Sequence, residues 1–346
     1  MSEHTRPIDV HAHAIPHGLV EALSRTSAEH APRMEENERG RFLVFPSGRR
    51  SGPLPVGMFD SETRLRDMDR QRVHHQVLSA PPVHFFYNLP GEVAAEFAAL
   101  GNDAIRTLAS DAPERLSAYV TLPLQDVAAS LRELRRVGDD PRVRGVAIGT
   151  AIAGRNHDEA DFEDVWADLE RRDLPVLVHP IDVPLDRLSR YYLRNFIGNP
   201  LDTTISIASV IFGGVLERHP GLRFLYLHGG GFAPYQLGRF DHGWRVRPEA
   251  AGAIDRSPRD YFRRLYFDCL THDADAGRFL VERAGADRVM LGSDYLFDMA
   301  DADPVASIER LGLTDDDERT VLEGTAHSFL RQAVVTASEA TGDAGA

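Results

Sequence analysis

Eight short, β-rich apolar runs recur along the chain, at 7–11, 73–80, 116–122, 143–149, 175–179, 223–228, 265–270 and 289–294, with helical patterns between them. This alternation is expected of repeated βα units, because parallel strands need a crossover between them and a helix usually supplies it. Several runs are apolar nearly throughout, as strands covered on both faces must be. Segments 127–137 and 162–172 place apolar residues three and four apart with charges elsewhere, which predicts amphipathic helices packed outside the sheet. Eight such units in 346 residues predict an α/β chain folded as a (β/α)₈ TIM barrel, a fold that reaches this length as one domain.

Two connections exceed the usual few residues, 15–59 after the first strand and 181–201 after the fifth. Insertions there are expected to lie over the barrel mouth, where substrates bind. Thr314 followed by Asp315, Asp316 and Asp317 reads as a capped, solvated helix start. The Ala/Gly/Ser-rich segment 336–346 is expected to fray. No composition shift marks a second domain, so 1–346 is read as one domain with a core over about 7–334.

The chain is 42% hydrophobic and 27% charged, a balance that fills a large core and argues against disorder. Its net charge of −14, with no dense basic cluster, opposes binding to a phosphate backbone. The N-terminal segment lacks a signal pattern, and no apolar run approaches the ~18–20 residues of a membrane span. A cytoplasmic protein with neither nucleic-acid nor membrane partners is therefore expected. Cys269 is the single cysteine, so any metal must be held by histidine and carboxylate. All 39 basic residues are arginine. With no lysine, Schiff-base chemistry, a P-loop and a carbamylated-lysine metal bridge are excluded.

The sharpest local signal is Ile8-Asp9-Val10-His11-Ala12-His13, because residues two apart on a strand face the same way and can present two imidazoles to one ion. His179 in Leu-Val-His-Pro, His228 in Leu-His-Gly-Gly-Gly and Asp294 in Leu-Gly-Ser-Asp-Tyr each close a predicted strand. Taken singly, each also fits a core histidine or a capping aspartate. Taken together they point to one site, since all C-terminal strand ends of a barrel converge on one face.

With these motifs the chain resembles the metal-dependent amidohydrolase superfamily, and within it the branch of 2-amino-3-carboxymuconate 6-semialdehyde decarboxylase. The resemblance runs from about Ile8 to Leu330 and includes Arg64-Leu65-Arg66-Asp67-Met68-Asp69, Thr121-Leu122-Pro123-Leu124-Gln125, Gly145-Val146-Ala147-Ile148-Gly149, Val178-His179-Pro180, His228-Gly229-Gly230-Gly231 and Gly292-Ser293-Asp294-Tyr295. It implies a mononuclear site with His11, His13, His179 and Asp294 as ligands, His228 beside them as base, and catalysis carried by His228 and Asp294. The ion implied is one divalent metal, zinc first, with manganese, cobalt or iron compatible with three histidines and a carboxylate. Such an ion lowers the pKa of bound water towards ~7, and a neutral imidazole in reach takes the proton.

Substrates of this branch are small carboxylates, which arginine forks bind bidentately. The resemblance implies that Arg239 reaches a neighbouring subunit's site in a homodimer, and that Arg49 or Arg50 is a second substrate arginine. Alternatively, Arg239 is a surface helix arginine. Several positions depart from the branch pattern: Ile181 and Phe196 stand where tryptophan is usual, His84 where methionine is, and Leu296 and Asp298 flank Phe297 where prolines are. Phe196, Phe297 and His84 are candidate substrate contacts, His84 equally a loop histidine packed on Phe85 and Phe86. His74, His75, His157, His219, His242, His272 and His327 are read as structural or solvated, and Cys269 as a small hydrophobe.

The activity implied is metal-dependent nonoxidative decarboxylation of a small unsaturated or aromatic acid. A hydratase or a lactone or amide hydrolase would use the same activated water, and a non-catalytic metal-binding regulatory protein is the alternative from another class.

Overall fold

The computed structural model describes residues 5–330 except Asp182 and Pro184, so the expected frayed tail and the end of the expected core lie outside the described residues. Eleven strands occur in them: β1 (Ile8–His13), β2 (Arg33–Asn37), β3 (Gly40–Val44), β4 (Arg50–Leu54), β5 (His75–Ser79), β6 (Leu116–Thr121), β7 (Val143–Gly149), β8 (Val176–His179), β9 (Phe224–Tyr226), β10 (Tyr266–Asp268) and β11 (Val289–Met290). Eight of them form one parallel sheet in the order β1-β5-β6-β7-β8-β9-β10-β11, one for each apolar run expected from sequence. The sheet closes on itself through Val10 N–H to Leu291 O at 3.0 Å, Asp294 N–H to His11 O at 2.8 Å and His13 N–H to Tyr295 O at 2.7 Å. The chain is a TIM barrel.

Every residue of β1, β6, β7, β8, β9 and β10 is buried, because one face fills the barrel and the other meets the helices. Helix Val127–Val137 starts where Asp126 accepts the Ala129 N–H at 2.9 Å and buries Leu134 and Val137. Helix Glu163–Arg171 buries Val165, Trp166 and Leu169, and the Trp166 indole donates to His157 O at 3.0 Å. Thr314 caps helix Asp315–Arg319 by accepting the Asp317 N–H, as its sequence context predicts.

The 15–59 insertion is more ordered than a long loop. It carries helix Leu19–Thr26 and an antiparallel sheet in the order β2-β3-β4. Leu43 and Leu54 from that sheet join Ile15, Leu19, Leu23, Met58 and Phe59 in a second apolar cluster with Phe86 and Phe97, against which Leu296 and Phe297 pack. The insertion thus has its own core beside the barrel mouth. The 181–201 segment contributes a short turn, Asp186–Leu188, and a π-helical turn, Arg194–Gly198.

Candidate active site and metal centre

Three imidazoles are fixed by hydrogen bonds at Nδ1. His179 Nδ1 lies 2.6 Å from the Pro180 carbonyl and His11 Nδ1 lies 2.7 Å from Asp268 Oδ2. Both partners only accept, so each ring carries a proton on Nδ1 and would engage a cation through Nε2. His13 Nδ1 is 3.0 Å from Ser79 Oγ, whose hydroxyl is 3.2 Å from Ala12 O. With that hydroxyl donating to the carbonyl, Ser79 accepts from Nδ1 and frees Nε2 of His13.

The freed nitrogens converge. Nε2 of His11 and Nε2 of His13 are 3.2 Å apart, and Asp294 Oδ1 lies 3.3 Å and 3.1 Å from them. One donor atom each from His11, His179, His228 and Asp294 lies within 4.8 Å of the others. All five residues singled out by sequence therefore meet at one point. Asp294 Oδ1 is buried with no hydrogen bond. Lone pairs crowded around an unsatisfied carboxylate oxygen are satisfied by a cation, and the donor set fits a divalent metal.

The electrostatics agree. Burial, then the neighbouring histidines, pushes His179 well below its ordinary range, and burial lowers His13, so both rings are neutral as ligands must be. Burial would raise Asp294, but His11, His13 and His228 outweigh it and hold the carboxyl well below the usual range. At His11 burial also opposes charge, yet Asp294 and Asp268 push the ring up to about 10. A proton and a cation would thus compete for His11.

His228 and Asp294 sit just past their strands in left-handed backbone, at φ 55° and 57°. Such backbone departs from extended geometry, and both residues lie beyond the ends of β9 and β11, which are shorter than their apolar runs. His228 Nε2 is 3.7 Å from Asp294 Oδ2, and its side chain is 20% exposed where His11 and His13 are at 0% and 1%. It is therefore the ring among these three that reaches the mouth.

Beneath the cluster lies a buried polar network that sequence reading did not assign. Asp9 accepts from His11 N–H at 3.0 Å, Ser293 N–H at 3.1 Å, Gln76 Nε2 at 2.8 Å and Ser293 Oγ at 2.5 Å. Arg64 joins it through Gln76 Oε1 at 2.7 Å. Asp9 and Arg64 stand inside motifs visible in the sequence. Asp268 has only its place near the end of the seventh apolar run, the same signal that marks His179.

The Amidohydrolase family model matches residues 8–332. This chain belongs to the amidohydrolase family. The amidohydrolase is 30% identical to the 2-amino-3-carboxymuconate-6-semialdehyde decarboxylase of Dictyostelium discoideum over 93% of this chain and 91% of that one, which bears out the branch expected from the motifs. It is 28% identical to the gamma-resorcylate decarboxylase of Rhodococcus jostii over 68% of this chain and 77% of that one. The structure of 5-carboxyvanillate decarboxylase from Novosphingobium aromaticivorans, complexed with manganese and 4-hydroxy-3-methoxy-5-nitrobenzoic acid, has the same fold: TM-score 0.81, 20% identity, 95% of this chain and 96% of that one.

The fold brings some expected substrate contacts to the mouth and leaves others away from it. The Phe297 ring lies 5.0 Å from that of His13. Phe196 is exposed and packs at 5.3 Å on Tyr192, whose hydroxyl donates to Asp298 at 2.9 Å, which ties the 190s segment to the turn after Asp294. Arg50 is engaged in the small sheet, 3.2 Å from Glu35 and over the Phe42 ring at 4.8 Å. Arg49 and Arg239 are exposed, and neither guanidinium has a partner among the described residues. His84 stacks on Phe86 at 5.4 Å in a pocket walled by Leu19, Leu23, Phe97 and Thr121, and none of the five clustered residues lines that pocket. Burial pushes the Cys269 thiol up to about 12, which does not suit a thiolate nucleophile. Among the described residues, no helix is long and apolar enough to cross a membrane.

Proposed function

We propose that this chain is a metal-dependent nonoxidative decarboxylase of a small unsaturated or aromatic carboxylic acid. The observation that carries this reading is the convergence of donor atoms from His11, His179, His228 and Asp294 within 4.8 Å, with His13 Nε2 3.2 Å from His11 Nε2 and 3.1 Å from Asp294 Oδ1. Both curated relatives described above are decarboxylases, of a carboxymuconate semialdehyde and of a dihydroxybenzoate.

In this reading, His11, His13, His179 and Asp294 hold one divalent ion. A divalent ion held there would supply Lewis-acid chemistry, stabilising negative charge that develops on the substrate as CO₂ departs. His228 moves a proton at Nε2, which lies 3.7 Å from Asp294 Oδ2. Phe297 and Phe196 give the unsaturated substrate apolar faces to pack on. Zinc is the ion the donor set favours, and manganese, present in the carboxyvanillate enzyme, is the alternative.

A homodimer completes the proposal. Arg239 lies on helix Ala233–Val246 with exposed Tyr235 and Val246 on the same helix and exposed Phe232 just before it. An unpartnered guanidinium beside exposed apolar residues suits a face that a second copy covers, with Arg239 reaching that copy's substrate.

The test is CO₂ release by metal-loaded protein from a panel of carboxymuconate, hydroxybenzoate and pyrone carboxylates. Release from at least one compound is expected. Water uptake without CO₂ would assign a hydratase or hydrolase, and no turnover of any compound would assign a binding protein.

A further inference from the structure

We propose that Asp268 is a positioning residue whose single carboxylate sets both the metal-facing lone pair of His11 and the turn that carries His228. The proposal rests on the metal-centre reading above and concerns a residue that touches neither the ion nor the substrate.

Asp268 ends β10 and is fully buried. Its two oxygens have different partners. Oδ2 lies 2.7 Å from His11 Nδ1, and Oδ1 accepts the Gly229 N–H at 2.8 Å. A carboxylate only accepts, so the first bond fixes the His11 proton on Nδ1 and leaves the Nε2 lone pair facing the cluster, where Asp294 Oδ1 lies 3.3 Å away. The second bond holds a backbone that would otherwise be soft. His228 and Gly229 are consecutive left-handed residues, at φ 55° and 62°, in a turn where strand pairing has ended. One side chain thus fixes the orientation of a ligand and the position of the base together.

The barrel is built to allow this approach. A Cβ at Gly292 would lie 2.7 Å from Asp268 Cβ, 3.1 Å from Asp268 Oδ2 and 3.0 Å from His11 Cβ. No side chain fits between the pair, and glycine lets them meet. A carboxylate that served only to satisfy a buried amide would need neither the His11 contact nor this cleared space.

Asn at 268 keeps the size of the side chain and can still accept from Gly229 through Oδ1. Its other end becomes an NH₂ donor, which drives the His11 proton to Nε2, into the cluster. Metal affinity of D268N, measured by competition with a chelating dye, is expected to fall about 10- to 100-fold. The visible spectrum of its Co²⁺ form should change with it. At saturating metal, kcat should drop about tenfold or more with KM little changed, because the His11 ring is misoriented while the Gly229 contact that holds the His228 turn is kept. In a His11→Ala background, adding Asp268→Asn should cost almost no further affinity, since the ring it positions is gone.

G292A provides a second route that leaves the carboxylate intact. Crowding the pair should weaken metal binding and shift the Co²⁺ spectrum in the same direction. A ¹⁵N spectrum of the wild-type metal-loaded protein needs no variant and should show His11 protonated at Nδ1. Wild-type affinity and Co²⁺ spectrum in folded D268N or G292A, or ligation of His11 through Nδ1 in the wild type, would overturn the proposal. A wild-type protein that binds no metal would instead overturn the metal-centre reading itself, a different and separately visible failure.

Discussion

Arg64 Nη2 donates to the backbone carbonyl of His13 at 2.6 Å, so a fully buried guanidinium holds the strand that presents two of the clustered histidines. The same group reaches Gly57 O at 2.9 Å and Gln76 Oε1 at 2.7 Å and lies over the Tyr295 ring at 4.6 Å. Arg64→Met fills similar space but strands these acceptors. At ~1–3 kcal/mol for each buried group left unpaired, destabilisation of ~3 kcal/mol or more is expected, read as a clear fall in Tm. An unchanged Tm would show that the network does not support β1.

His84 gives a prediction of opposite sign. Its ring is buried with neither nitrogen hydrogen-bonded, and burial lowers its pKa to about 4, as it does for His157. Both rings are neutral in the fold, whereas the unfolded chain protonates near 6.5. Between those values the unfolded state binds more protons, so stability is full above pH 6.5 and is lost as pH falls toward 4. His84→Met should raise Tm near pH 7, by relieving an unsatisfied group worth ~1–3 kcal/mol, and should flatten the acid limb. If His84 contacts substrate, KM changes instead; unchanged KM with a raised Tm assigns it to packing on Phe86.

These two residues also mark what the sequence can and cannot reveal. His11, His13, His179, His228 and Asp294 were legible because each sits at the end of an apolar run, and barrel geometry gathers such ends. The left-handed backbone at His228 and Asp294 leaves no trace in hydrophobic pattern. Arg64 was hidden by its type, since arginine is usually exposed and its burial follows from partners distant in sequence. The β2–β4 sheet was hidden because its strands are short and partly exposed, and Arg33–Asn37 has little apolar alternation. Asp268 looks like any aspartate until His11 and Gly229 are seen on its two oxygens.

His228→Ala separates chemistry from binding. His228 stands beside the four proposed ligands and its side chain is 20% exposed, so its loss should leave the ion held by His11, His13, His179 and Asp294. Metal content is expected to stay near that of wild type while kcat falls by ~10²–10⁴. Retained turnover would remove His228 from the role of base.

Arg239 is testable by mixing. If it serves the neighbouring subunit, R239A and H228A proteins are each inactive, but a mixed dimer contains one complete site. Unfolding and refolding an equal mixture should restore about a quarter of wild-type activity, from half the dimers having one working site of two. No recovery from a mixture shown to exchange subunits would place Arg239 outside the partner's site.

The central claim is a single divalent ion held by His11, His13, His179 and Asp294. The most direct test is elemental analysis of protein purified without added metal, alongside Asp294→Ala. The account predicts about one divalent ion per chain in the wild type and near none in the variant. Two ions per chain, or an active protein that holds none, would contradict it.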